Sequence, residues 1–359
     1  MMMRPLRFYR HRIAGAAYRA EGTTRGCGQL RAMRNFFARR AIIVALTAFM
    51  LLAIIPRPLR AADLETVRVG RAVGDSWLFA TLEVGQDAHI WEKVGLKVDI
   101  ASFKGDGQLQ QALTSGAVDF GLGSGPAMGY RAKGVPAIGV AVMTQAPIDL
   151  GIVIGANSSI KTIADLKGKK IGVSTAGSLT DWLVHELSRR QGWGPDGIES
   201  VPMGTNEVRS AAIVTGQIAG SVTDVGFAYA MEEQGKGKLF TTFGTFVKQF
   251  EAHVIFATDD IVAKKPDTVA RFLKGWFMTV AYMKTHKAET IKSTMAVLHE
   301  SMPVVSKIYE NDLPGMSLDG AFDAASVAAV AHSLKELGIM ETEPDPKTIY
   351  TAKFVPVKV

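Results

Sequence analysis

From about residue 65 to residue 258 the chain alternates short apolar runs with segments of helical period. Val67–Val73 and Leu96–Phe103 place apolar residues at every second position, the signature of strands with one buried face. Val118–Gly123, Pro136–Met143, Leu150–Ile154 and Ile171–Val173 are short, nearly continuous apolar runs bounded by turn residues, and they read as buried strands. Glu199–Met203, Ala219–Val225, Leu239–Phe243 and His253–Thr258 complete the strand set. Between them the pattern predicts one helix from the Gly74–Trp77 turn to about Lys93. Further helices are expected over Gln108–Ser115, from Ser124–Pro126 to Gly134, and over Leu179–Gln191. Two more follow from Thr205 to Gly216 and from Phe227 to Gly235. Pro near the first helical position and Gly just past the last one punctuate several of these. Strands alternating with helices predict an α/β protein whose sheets are mostly parallel and flanked by helices.

Beyond Lys264 the chain reads as almost entirely helical. Val269, Phe272, Leu273, Trp276, Phe277, Val280 and Met283 recur at spacings of three and four, so this aromatic stripe is expected to be core packing. Ala321–Leu337 reads as another helix.

The loops carry the functional signal. In open α/β sheets ligands bind beyond the carboxyl ends of the strands. Each strand here ends in a small or polar loop: Gly74–Trp77, Lys104–Asp106, Ser124–Gly125, Thr144–Gln145. The stretch Asp165–Leu179 reads as a turn, a short strand and then the hydroxylated start of a helix. A helix start with free N–H groups and hydroxyls suits an anion or polar head; an ordinary capped turn is the other reading.

Charge removes one function class. The formal net charge of +7 comes from residues 1–62, which hold 12 Lys/Arg and the single acid Glu21. Residues 63–359 keep 29 Lys/Arg against 33 Asp/Glu, a net of −4, which leaves no basic patch for nucleic acid. Within the basic segment, Ala41–Ile55 is an uncharged run of 15 residues preceded by Arg34, Arg39 and Arg40. It reads as a cleavable signal peptide rather than a bilayer span, which needs about 20 residues. Cleavage is expected near Ala61/Ala62, with Met33 a candidate start. Retention of the leader as an anchor is the alternative. The only cysteine, Cys27, lies in this leader, so the remainder offers no disulfide, thiolate metal site or cysteine nucleophile. Export to a periplasm-like compartment is the expectation.

Catalytic motifs are weak. Gly172-Val-Ser174-Thr-Ala176 approximates a nucleophile elbow but lacks its final Gly. His253 and His286 have no evident acid partner in the sequence. Gly121-Leu-Gly123-Ser-Gly125 lacks dinucleotide spacing, and no phosphate-binding P-loop is present. The histidines are scattered without ligand spacing, so neither a metal nor a cofactor is expected.

Taken together, Val67–Val73, Leu96–Phe103 with Lys104-Gly-Asp-Gly107, Ala112-Leu-Thr-Ser-Gly-Ala-Val-Asp-Phe-Gly121 and Asp165-Leu-Lys-Gly-Lys-Lys-Ile-Gly-Val173 resemble the nitrate/sulfonate/taurine type of ABC-transporter solute-binding protein, a type II periplasmic binding protein. The thiamine-precursor binding proteins are related. The resemblance spans about 65–340. It implies two α/β lobes, 63–147 plus 254–359 and 148–253, with crossings near Ala146–Leu150 and Val247–His253. It also implies a monomer that closes on a small solute and delivers it to a permease and ATPase. The implied ligand positions are Asp75, Ser76, Trp77, Lys104, Asp106, Ser124, Thr144, Ser174, Thr175, Gly177, Ser178 and Asp224. Thr175, Gly177 and Ser178 would hold a polar head, Ser124 and Thr144 would add hydrogen bonds, and Trp77 would be an apolar wall. Asp224 would pair with an amine or, alternatively, cap the helix that follows it. No Arg lies in these loops, and Asp75, Asp106 and Asp224 argue against a doubly charged anion. An enzyme on the same fold, like a pyrimidine-precursor synthase, would need a reactive base, for which Lys104 is the candidate. An anchored ligand sensor is the third reading.

Overall fold

The computed structural model describes residues 64–359; the expected leader and its cleavage site lie outside the described residues. Ten strands form two five-stranded sheets. The first has the order β2-β1-β3-β10-β4, built from β1 (Glu65–Arg71), β2 (Leu96–Ser102), β3 (Phe120–Ser124), β4 (Ala137–Thr144) and β10 (His253–Thr258). The second has the order β7-β6-β8-β5-β9, built from β5 (Leu150–Gly155), β6 (Lys170–Val173), β7 (Glu199–Pro202), β8 (Gly220–Asp224) and β9 (Gly237–Thr242). The chain leaves the first sheet after Thr144 and re-enters it at His253.

Each sheet is parallel except for one strand, and that strand is the one delivered by a crossing. β10 runs antiparallel between β3 and β4, and β5 runs antiparallel between β8 and β9. This refines the expectation of mostly parallel sheets, and it matters for the site. An antiparallel strand presents its first residue at the edge where its parallel neighbours present their last. Thus His253 lies beside Ser124 and Thr144, and Leu150 beside Asp224.

The helices are α1 (Thr81–Asp87), α2 (Ile90–Lys93), α3 (Asp106–Thr114), α4 (Gly129–Ala132), α5 (Leu179–Arg190), α6 (Asn206–Val214) and α7 (Val225–Glu233). After β10 come α8 (Asp259–Lys264), α9 (Pro266–Thr285), α10 (Lys287–Leu298), α11 (Met302–Asp312) and α12 (Ala324–Glu336). The single helix expected over 78–93 is broken in two. His89 adopts a left-handed backbone, φ 52°, which turns the chain before α2. The break lets Trp91 reach the core, where it stacks on Phe272 at 5.3 Å while Phe272 also stacks on Phe120 at 4.1 Å. The apolar stripe of α9 is buried as its spacing predicts, with Phe272, Trp276 and Phe277 inaccessible to solvent.

Contacts tie a helix of the second sheet to a helix that follows β10. Trp182 on α5 donates its Nε1–H to Glu336 on α12 at 3.1 Å, and Arg189 pairs with the same carboxylate at 2.7 Å. Gly125 permits one close approach. A Cβ there would lie 1.7 Å from the Glu251 carbonyl oxygen, in the segment returning to β10.

Candidate functional site

A cavity of about 730 Å³ opens where the carboxyl ends of both sheets face each other. Eight of the expected positions line it: Asp75, Ser76, Lys104, Asp106, Ser124, Ser174, Ser178 and Asp224. Trp77 lies in a side chamber of about 70 Å³ that shares Asp75 and Asp224 with the cavity. It is almost fully buried, edge-on to Tyr309 at 6.3 Å. Thr144, Thr175 and Gly177 do not line the cavity. Thr144 is buried in β4, and its hydroxyl has no partner. Thr175 faces Gly105, where an added Cβ would sit 3.5 Å from its Cγ2.

The start of α5 explains why Gly177 drops out. Its N–H donates to Asp181 Oδ2 at 2.7 Å, and Ser178 Oγ accepts the Asp181 N–H at 3.3 Å as N-cap. Ser174 donates its N–H to Thr180 Oγ1 at 3.0 Å and its hydroxyl to Ser178 Oγ at 3.1 Å. The loop therefore satisfies itself. The first two helical N–H groups, those of Leu179 and Thr180, have no intrahelical acceptor, and both residues line the cavity. An acceptor would meet these N–H groups rather than that of Gly177.

On the opposite wall Asp106 accepts the Ser124 N–H at 3.0 Å and the Ser124 hydroxyl at 2.7 Å. The bonds hold the β2 and β3 loops together, while burial pushes the Asp106 carboxyl upward. Asp75 accepts from Asn206 Nδ2 at 2.9 Å, a direct hydrogen bond between the β1 loop and α6. Asn206 in turn accepts from Thr223 at 2.6 Å and from Arg209.

Basic residues enter the cavity at positions that the loops did not reveal. Arg71 and Arg209 both line it, which corrects the expectation of a site without Arg. Arg71 is the last residue of β1 and pairs with Glu83 at 2.9 Å. Arg209 lies one helical turn inside α6, and its guanidinium donates to Asn206 and the Gly204 carbonyl. His253 also lines the cavity and pairs with Asp149 at 2.8 Å, so it does have an acid partner. That pair bridges the two crossings between the sheets. The signal that could have found it is the strand reversal, which alternation of apolar residues does not reveal.

The acids at this end interact strongly. Burial, reinforced by Asp149 and Asp75, pushes Asp224 from an ordinary 3.8 up to about 7. Its carboxylate makes no cap hydrogen bond to α7, which removes the capping role. Burial opposes charge on His253, yet Asp149 beside it holds the imidazole above its ordinary value. Among the described residues no cluster of His, Cys, Asp and Glu could hold a metal, and no helix is long and apolar enough to cross a membrane.

Two lobes joined by two crossings, with a cavity between their strand ends, define a type II periplasmic-binding-protein fold. The chain belongs to the NMT1/THI5-like family, whose model matches residues 79–290. A Brucella abortus (strain 2308) protein named as a candidate binding protein is 26% identical over 314 residues, covering 83% of this chain and 93% of its own. The periplasmic aliphatic sulphonate binding protein SsuA of Escherichia coli superposes with a TM-score of 0.68 at 20% identity, covering 80% of this chain and 92% of its own. The desulfurization enzyme DSZB shares the fold at a TM-score of 0.58 and 15% identity, covering 81% of this chain and 97% of its own.

Proposed function

We propose that this protein is an exported solute-binding subunit of an ABC importer. It takes a small polar organic solute between its lobes and delivers it to a permease. The observation that carries this reading is the 730 Å³ cavity, whose walls come from loops of both sheets. The sulphonate-binding and candidate binding relatives support it. On this reading residues 1–62 are a leader removed on export to the periplasm. Residues 63–147 with 254–359 form one lobe and 148–253 the other, moving as a monomer about the segments Ala146–Leu150 and Val247–His253. The solute accepts hydrogen bonds at the start of α5 and meets Ser124 and Lys104 from the other lobe. Sulfonates, taurine-like compounds, nitrate and pyrimidines are the solute classes to try. Thermal-shift and calorimetric screening across these and aromatic carboxylates tests the reading. Silence in every class would sink it.

A second reading, an enzyme on the same fold, draws on the His253–Asp149 pair in the cavity wall and on the resemblance to DSZB. Turnover of a bound compound that disappears in Lys104→Ala or His253→Gln would favour it over transport.

A further inference from the structure

We propose that the cavity selects solutes that carry a bulky apolar body, an aryl or bicyclic ring system, behind a single acceptor head, and that Phe103, Phe227 and Leu298 set this preference. This rests on the solute-binding reading above and narrows its ligand. The cavity encloses about 730 Å³. Pockets of about 300–1,000 Å³ hold drug-sized molecules, so a solute the size of nitrate or taurine would leave most of the space unfilled.

Five apolar residues that line this space are only half-buried: Val73, Phe103, Phe227, Val297 and Leu298. They come from three places in the fold. Val73 and Phe103 follow β1 and β2, Phe227 lies in the first turn of α7, and Val297 and Leu298 end α10. His299, with a left-handed φ of 56°, stops α10 there and turns the chain toward Glu300, which also lines the cavity. The α10 corner is not one of the strand-end loops, so it adds an apolar wall beyond the polar positions those loops supply. Apolar surface facing an open cavity gains when a ligand covers it and releases the water there.

Much of the polar wall is already engaged. Ser124 donates to Asp106, Asn206 to Asp75 and Ser174 to Ser178, while Arg71 pairs with Glu83 and His253 with Asp149. A solute with polar groups all round would find these partners taken, and its own groups would lose water without full replacement. The N–H groups of Leu179 and Thr180 remain for one acceptor, and Lys104 adds a cation from the first sheet's loops. One polar head on an apolar body matches that distribution.

Calorimetry on the purified full chain tests this with two series that keep the head and enlarge the body: ethanesulfonate, benzenesulfonate and naphthalene-2-sulfonate, then propionate, benzoate and 2-naphthoate. The expected result is that in at least one series the bicyclic member binds at least tenfold tighter than the aliphatic one. Phe227→Ala should then cut that ratio by at least threefold while the variant keeps its circular dichroism and cooperative melt. If Phe227→Ala does not fold, Leu298→Asn at the α10 corner should cut the same ratio by at least threefold. Aliphatic members that bind as tightly as the ring compounds, or more tightly, would overturn the apolar-body assignment and leave solute binding standing. A ratio unchanged by the folded variants would overturn the role given to these side chains. Binding by no member of either series would overturn the assignment, and silence across the wider solute classes as well would overturn solute binding itself.

Discussion

The His253–Asp149 pair is the contact whose removal should cost most. Its partners stand at the two crossings, are 2.8 Å apart, and have side chains 10% and 3% exposed. His253→Ala strands Asp149 without its donor, beside Asp224 and Asp312, each of which Asp149 already pushes toward protonation. Removing one partner of a buried pair typically costs about 3–5 kcal/mol. Loss of the edge-on contact with Phe79, at 5.7 Å, adds about 0.5–1 kcal/mol. At roughly 2 °C per kcal/mol for a chain of this size, the melting temperature should fall by about 7–12 °C. The sign with pH follows from His253. Its folded pKa is raised above the ordinary 6.5, so the stabilisation is complete below that value and is lost as pH rises through the folded one. The gap between wild type and variant should therefore be widest in mild acid and should narrow with rising pH. Urea unfolding from pH 5.5 to 8.5 measures it, and the double variant Asp149→Asn/His253→Gln should recover part of the loss. A cost below about 1 kcal/mol at pH 6, or a gap that widens with pH, would refute the claim that these residues form a buried ion pair.

Three further outcomes follow. Asp224 has a raised pKa, so stability falls as pH rises from about 3.8 through about 7; Asp224→Asn should be the more stable form at pH 8, by at most about 4 kcal/mol, with equality near pH 4 in urea titrations. Gly125→Ala should cost more than about 3 kcal/mol in urea unfolding, because its Cβ would fall 1.7 Å from the Glu251 carbonyl oxygen. Ser178→Ala should lose about 1 kcal/mol as a lost N-cap and should weaken solute binding, by melting and calorimetry respectively.

Much of the fold was legible because its periodicities are strong. The stripe on α9 has helical spacing and is buried as such. The strands end in polar loops, and most of those loops do line the cavity. What escaped was information that only pairing supplies. Asp149 and His253 sit at the beginnings of strands, where a parallel reading expects no ligand contact, and only the reversal of β5 and β10 brings them to the site. Arg71 and Arg209 escaped because one ends a strand and the other sits inside a helix, and neither position reads as a loop. Gly177 looked like a free N–H donor, yet Asp181, four residues on, claims it. Its φ of 74° also means that Gly177→Val would strain the backbone by about 1–2 kcal/mol, so that substitution does not isolate ligand binding from folding.

Native mass spectrometry of the protein purified without denaturation tests solute capture most directly, paired with small-angle scattering before and after exchange of the bound compound. The expected result is one small molecule per chain, released on unfolding, with a more compact particle when it is bound. A chain that carries nothing, and whose scattering is unchanged by every solute class tried, would contradict a binding protein that closes on its ligand.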